Sequence, residues 1–135
     1  VRTTASTVVQ GPGWWLAVAA GGALGTAARA GGVWLAPTAA GAWPTTIFAE
    51  NLLGAFLLGL LLARVTRPGA PTWLRSPFFS TGALGAFTTF SGLTGDVVEA
   101  LGSAPVMALG YASASLVMGL IVASVGWWLG RRGGS

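Results

Sequence analysis

Five side chains in this sequence are ionisable or strongly polar yet lie inside apolar stretches: Arg29, Glu50, Asn51, Asp96 and Glu99. Placing such groups in hydrocarbon is costly enough that each marks an ion path, a proton relay or a ligand counter-ion. A second unusual feature is the segment Ser80-Thr81-Gly82-Ala83-Leu84-Gly85-Ala86-Phe87-Thr88-Thr89-Phe90-Ser91-Gly92-Leu93-Thr94-Gly95, with six hydroxyls and four Gly in sixteen residues. That composition opposes an unbroken lipid-facing helix. It favours one that breaks at mid-depth, its freed carbonyl and N–H groups buried in protein or lining a wet path. Freed carbonyls suit a cation, whereas hydroxyl and N–H donors suit an anion.

The elements that must position these groups follow from the composition. Of 135 residues, 53% are apolar and 7% charged, against roughly 25% charged in an ordinary soluble domain. Cys, His and Lys are absent, which excludes disulfide staples, Cys/His zinc sites and Ser-His-Asp or Cys-His catalysis. The chain is expected to be a single integral membrane domain over residues 1–135, and not an enzyme. A net charge of +4 raises nucleic-acid binding, but the seven Arg form no run that could track a phosphate backbone.

Four apolar stretches, about 14–37, 43–63, 77–101 and 105–129, each approach the roughly 20 residues that cross a bilayer as a helix. Pro37 and Pro44 bracket the first connection, Pro68 and Pro71 lie in the second, and Gly102 to Pro105 form the third. All seven Trp lie near predicted ends, as in an aromatic belt. Gly21, Gly25 and the Gly126/Gly130 pair read as small residues that let helices approach closely. Arg2 ahead of an apolar run also fits a cleaved leader, although that run is long for one. Gly22-Ala23-Leu24-Gly25 recurs as Gly82-Ala83-Leu84-Gly85, either as a duplicated hairpin or by chance in a Gly- and Ala-rich chain.

With four spans, Arg2, Arg64, Arg67, Arg75, Arg131 and Arg132 share one side, while the connections at 34–43 and 102–105 carry neither Lys nor Arg. The positive-inside rule then places both termini in the cytoplasm, with Arg29 toward the far side.

Taken together, Gly21-Gly22-Ala23-Leu24-Gly25 leading to Arg29, Asn51-Leu52-Leu53-Gly54-Ala55-Phe56-Leu57-Leu58-Gly59, Gly82-Ala83-Leu84-Gly85-Ala86-Phe87-Thr88-Thr89-Phe90-Ser91, and Tyr111 with Ser115 resemble the Fluc (CrcB-like) fluoride channels. The likeness covers all four spans in order. It implies a passive fluoride channel of the plasma membrane that relieves fluoride toxicity. Its fold would be an all-α membrane protein of four helices with a break in the third, paired as an antiparallel dimer with two narrow pores. It further implies a sodium ion at the dimer centre on the main-chain carbonyls of Gly85 and Thr88. The resemblance places the pore Asn on Asn51, the first Phe of the pore pair on Phe90 and the polar track on Tyr111 and Ser115. The vestibule Arg falls on Arg29, and the Glu that ends the third-helix motif is Asp96 here.

Three positions depart from the family pattern: Leu93 stands for the second pore Phe, Gly119 for a later Ser of the track, and Glu50 where an uncharged residue is usual. Glu50 has three readings: protonated, paired with Arg29, or facing a vestibule. Independently of the likeness, a Phe90 ring presented edge-on attracts a small anion without trapping it, and Asn51, Thr89, Tyr111 and Ser115 offer donors that replace water; taken alone, Phe90 reads rather as core packing, and Ser115 equally as bonding the i−4 carbonyl of its own helix. One-sided Arg favours a single orientation, so the expected partner is an oppositely oriented homologous subunit, a heterodimer rather than a homodimer. The competing readings are a small proton-coupled multidrug exporter that uses Glu50, and a non-conducting partner subunit.

Overall fold

The computed structural model describes residues 11–39 and 41–132, all of them in helices and short connections. Arg2 lies outside the described residues. Helix α1 spans Pro12–Leu35 and α2 spans Thr45–Val65. A proline opens α1, where its missing N–H leaves no hydrogen bond unmade. Past α2, Thr66 folds its hydroxyl back onto the carbonyls of Leu62 at 2.9 Å and Ala63 at 3.2 Å, and Pro68 and Gly69 turn the chain. Gly69 takes φ +76°, a value that L side chains resist.

One 3-10 turn, Thr72–Arg75, then leads to a wide π-helical run, Phe78–Leu84, which continues as a single α-turn, Gly85–Phe87. We call these last two pieces α3. After two extended residues, α4 covers Phe90–Leu101, and α5 covers Pro105–Arg132. By length and composition α2 and α5 are apolar enough to cross a membrane. The 28 residues of α5 reach about 42 Å, more than a hydrocarbon core of about 30 Å.

Two glycine seams hold the helices together. A Cβ on Gly21 would meet the Phe78 carbonyl, one on Gly25 the Ala83 carbonyl, and one on Gly82 the Val18 carbonyl, so α1 and α3 touch backbone to backbone. Likewise Gly59 faces the Ala123 carbonyl, Gly126 the Phe56 carbonyl, and Gly130 lies against Leu60 and Ala63. In both seams contact positions rise together along the two chains. Thus α1 runs parallel to α3 and α2 to α5. Close approach suits a solvent that gives apolar side chains no reason to cluster. Accordingly few large side chains are buried, and many Leu, Val and Trp are exposed on the outer faces.

The two ends differ in chemistry. Where α2 and α5 finish, Arg64 donates through Nε to the Gly130 carbonyl at 3.2 Å, and Arg131 and Arg132 lie over the rings of Trp127 and Trp128. At the opposite end the Thr46 hydroxyl donates to the Ala36 carbonyl, tying the start of α2 to the end of α1.

Candidate functional site

Between α3 and α4 the backbone leaves the helical region: Thr88 has φ −76°, ψ 147° and Thr89 has φ −139°, ψ 111°. Helix hydrogen bonds lost here must be replaced, and three side chains replace them. Asn51, on α2, accepts from the Thr89 N–H through Oδ1 at 2.8 Å and donates through Nδ2 to the Thr89 carbonyl at 3.2 Å. The reciprocal pair makes the amide a clamp on one residue's backbone and leaves one Nδ2 proton unused. Thr89 Oγ1 in turn accepts from the Gly92 N–H at 2.9 Å and lies 3.1 Å from Ser91 Oγ, an N-cap for α4. Thr88 Oγ1 donates back to the Leu84 carbonyl at 3.0 Å.

These substitutions have a consequence for the main chain. The Thr89 N–H would serve the Gly85 carbonyl in a continuous helix, and the Gly92 N–H would serve Thr88. With both diverted, the Gly85 and Thr88 carbonyls are released as acceptors. Carbonyl oxygens are hard ligands that fit an alkali cation. Among the described residues there is no cluster of acidic, Cys or His side chains that could hold a metal instead.

A groove of about 340 Å³ runs over this junction. Asn51, Thr88, Thr89 and Phe90 line one part of it, and Ser115 and Gly119 on α5 line another. Phe90 is 74% exposed. Ser115 Oγ is buried with no hydrogen-bond partner among the described residues. Leu93 lines the same groove but is buried within the subunit.

The remaining candidates lie elsewhere. Tyr111, one turn before Ser115 on α5, is only 1% exposed, with Trp43 edge-on at 5.4 Å and Phe48 at 6.2 Å. Its hydroxyl donates to Asp96 Oδ2 at 3.2 Å. Asp96 opens, with Glu99, onto a separate cavity of about 380 Å³ beneath the α1–α2 connection. Glu50 is buried on α2 where Gly32 of α1 has no side chain; a Cβ there would strike Oε1. Both Glu50 carboxyl oxygens and Arg29 Nε are without hydrogen-bond partners among the described residues.

Sequence reasoning missed three participants. Trp43, read as a belt residue, packs on Tyr111. Gly32 makes the space for Glu50. Ser91 joins the Thr89 cap, and its place in the Thr-Thr-Phe-Ser block was the available signal.

Comparison with known proteins shows the family of the chain. Residues 16–127 match the family described as CrcB-like protein, Camphor Resistance (CrcB). A Bacillus subtilis (strain 168) protein named fluoride-specific ion channel FluC 2 is 40% identical over 116 residues, covering 86% of this chain and 86% of that relative. A Deinococcus radiodurans protein named fluoride-specific ion channel FluC is 43% identical over 124 residues, covering 87% and 95%. A Thermus thermophilus protein of the same name is 41% identical over 118 residues, covering 86% and 92%. By this match over most of its length, the Thr88–Thr89 junction included, the chain belongs to the CrcB-like family.

Proposed function

We propose that the chain is a subunit of a passive fluoride channel in the plasma membrane, which exports fluoride and so relieves its toxicity. The observation that carries this reading is the groove that brings Asn51, Thr89, Phe90 and Ser115 together at the junction. The spare Asn51 proton and the Ser115 hydroxyl can replace water around a small anion, and a Phe90 ring edge supplies weak positive potential. Neutral donors and ring edges bind weakly enough to let the ion leave, as conduction requires. The membrane potential drives anion export at roughly 2.3 kcal/mol per 100 mV, so no pump is needed.

The groove is open on one side, where Phe90 projects. A second subunit of opposite orientation would close it. Arg64, Arg67, Arg75, Arg131 and Arg132 at one end favour a single orientation with cytoplasmic termini. The inverted partner is then a different, homologous chain, which also explains why Leu93 and Gly119 can stand where the family uses Phe and Ser. The Gly85 and Thr88 carbonyls would hold a sodium ion between the subunits, a fixed positive charge that ties the two junctions together.

Fluoride efflux from liposomes tests these points separately. The purified chain alone should give little flux, and the chain with a homologue of opposite charge bias should give voltage-driven flux unaffected by removing a proton gradient. Flux from the chain alone would overturn the heterodimer and keep the channel. No flux in either composition, or flux that collapses with the proton gradient, would overturn the channel.

A further inference from the structure

A cavity of about 730 Å³ does not belong to the groove's chemistry: it lies where α2 ends and the 66–77 connection turns into α3. Its deep wall is apolar, built from Leu57, Leu60, Leu61 and Phe79, and its mouth carries Arg64 and Arg67 beside Trp73. From Leu57 to Arg64 the helix rises about 10 Å, so an occupant must be apolar along that depth and polar only at its head.

Charge decides what the head is. The three acids of the sequence, Glu50, Asp96 and Glu99, are absent from the cavity wall. Arg67 Nη2 is buried with no hydrogen-bond partner among the described residues. Arg64, which also lines the cavity, is held through Nε by the Gly130 carbonyl. Two cations with no acidic side chain beside them, at the level of Trp73 and the helix ends, meet the anionic headgroups of the bilayer.

We propose that this cavity is a binding site for one anionic phospholipid, its phosphate on Arg67 and Arg64 and an acyl chain against Leu57, Leu60 and Leu61. A second copy of this chain brings no such head: its three acids lie within helices α2 and α4. Inorganic phosphate would satisfy the mouth and leave the apolar depth empty. The site is independent of which ion the chain conducts.

Native mass spectrometry of the full chain in mild detergent, with dioleoyl phosphatidylglycerol or dioleoyl phosphatidylcholine added, tests this. The expected result is one phosphatidylglycerol per chain, retained at least about fivefold better than phosphatidylcholine. Arg67→Gln should lower the phosphatidylglycerol adduct about tenfold. Arg75→Gln with Arg132→Gln removes two charges outside the cavity and should leave it unchanged. Leu61→Trp, which fills the apolar depth, should remove the adduct without changing the helical circular dichroism. Equal retention of the two lipids, or indifference to Arg67→Gln, would overturn the proposal. So would displacement of the lipid by millimolar inorganic phosphate, which would make the site one for the free anion. Cross-linking of a Leu61→Cys variant to a second chain would overturn it too, making the cavity a subunit interface.

Discussion

The α2–α5 seam and the Thr88–Thr89 junction touch the same helix, α2, and are built on opposite terms. At the seam, Gly59 and Gly126 have no side chains at all, and the backbones meet because nothing stands between them. At the junction, Asn51, Thr88 and Thr89 spend their side chains on backbone groups that a helix would have satisfied by itself. The seam is rigid by absence and has no chemistry to offer. The junction is held by polar groups and therefore has donors and acceptors left over. A membrane helix bundle can host a polar site where its own regularity fails, provided neighbouring helices complete the hydrogen bonds.

Breaking the seam should have the largest effect. Gly126→Val places a side chain on the Phe56 carbonyl, and overpacking of this kind costs about 1–3 kcal/mol or more because backbone must move. Gel filtration of the detergent-solubilised variant should show aggregated rather than monodisperse protein. A normal elution profile would mean the helices can part freely.

Next, Asn51→Leu keeps the side chain's bulk and removes both bonds to the Thr89 backbone. Each buried group left unpaired costs about 1–3 kcal/mol. The variant should lose thermal stability and at least about tenfold of its fluoride flux when assayed with its partner. Phe90→Ile should separate those two readouts. The side chain is exposed, so stability should stay within about 0.5 kcal/mol, while most flux is lost. Unchanged flux would place the conducting path away from Phe90.

Thr89→Val removes the cap of α4 and should cost about 1 kcal/mol, read as a modest drop in the melting temperature. The smallest effect sharpens the contrast from the seam's side. Gly110 and Gly119 lie on α5 yet have open space where a Cβ would go. Gly110→Ala and Gly119→Ala should be neutral or slightly stabilising, since Ala favours helix by up to about 1 kcal/mol over Gly. A loss as large as that of Gly126→Val would mean a hidden contact on that face.

How much of this was legible depended on how local each cause is. Helical character and apolar spans follow from composition alone, and the four-residue spacings of Gly21 with Gly25 and Gly126 with Gly130 point to close approach without any partner being known. Gly59 has no such spacing in its favour, and its role depends on Ala123, which only the folded chain brings near. Asn51 was legible as a polar side chain inside an apolar span. Its clamp on Thr89, 38 residues on, was not, because the same side chain could equally have faced water. Trp43 shows the opposite error: position near a helix end argues for the interface, but Tyr111 offers it a ring to pack on. Glu50 was conspicuous as a charge, and its accommodation depended on Gly32 across a helix boundary.

The parallel pairing of α1 with α3 and of α2 with α5 also sets a timetable for synthesis. Neither neighbouring pair forms a glycine-sealed hairpin as it emerges from the ribosome, because the surface that Gly21 needs lies at Phe78 and the one that Gly59 needs lies at Ala123. At about 5–20 residues per second, each helix waits roughly 3–12 s for its partner. For that interval α1 and α2 must persist in lipid as separate inserted helices. The Asn51 clamp can close only after Thr89 has been made, and the groove over the junction only after Ser115 has followed it.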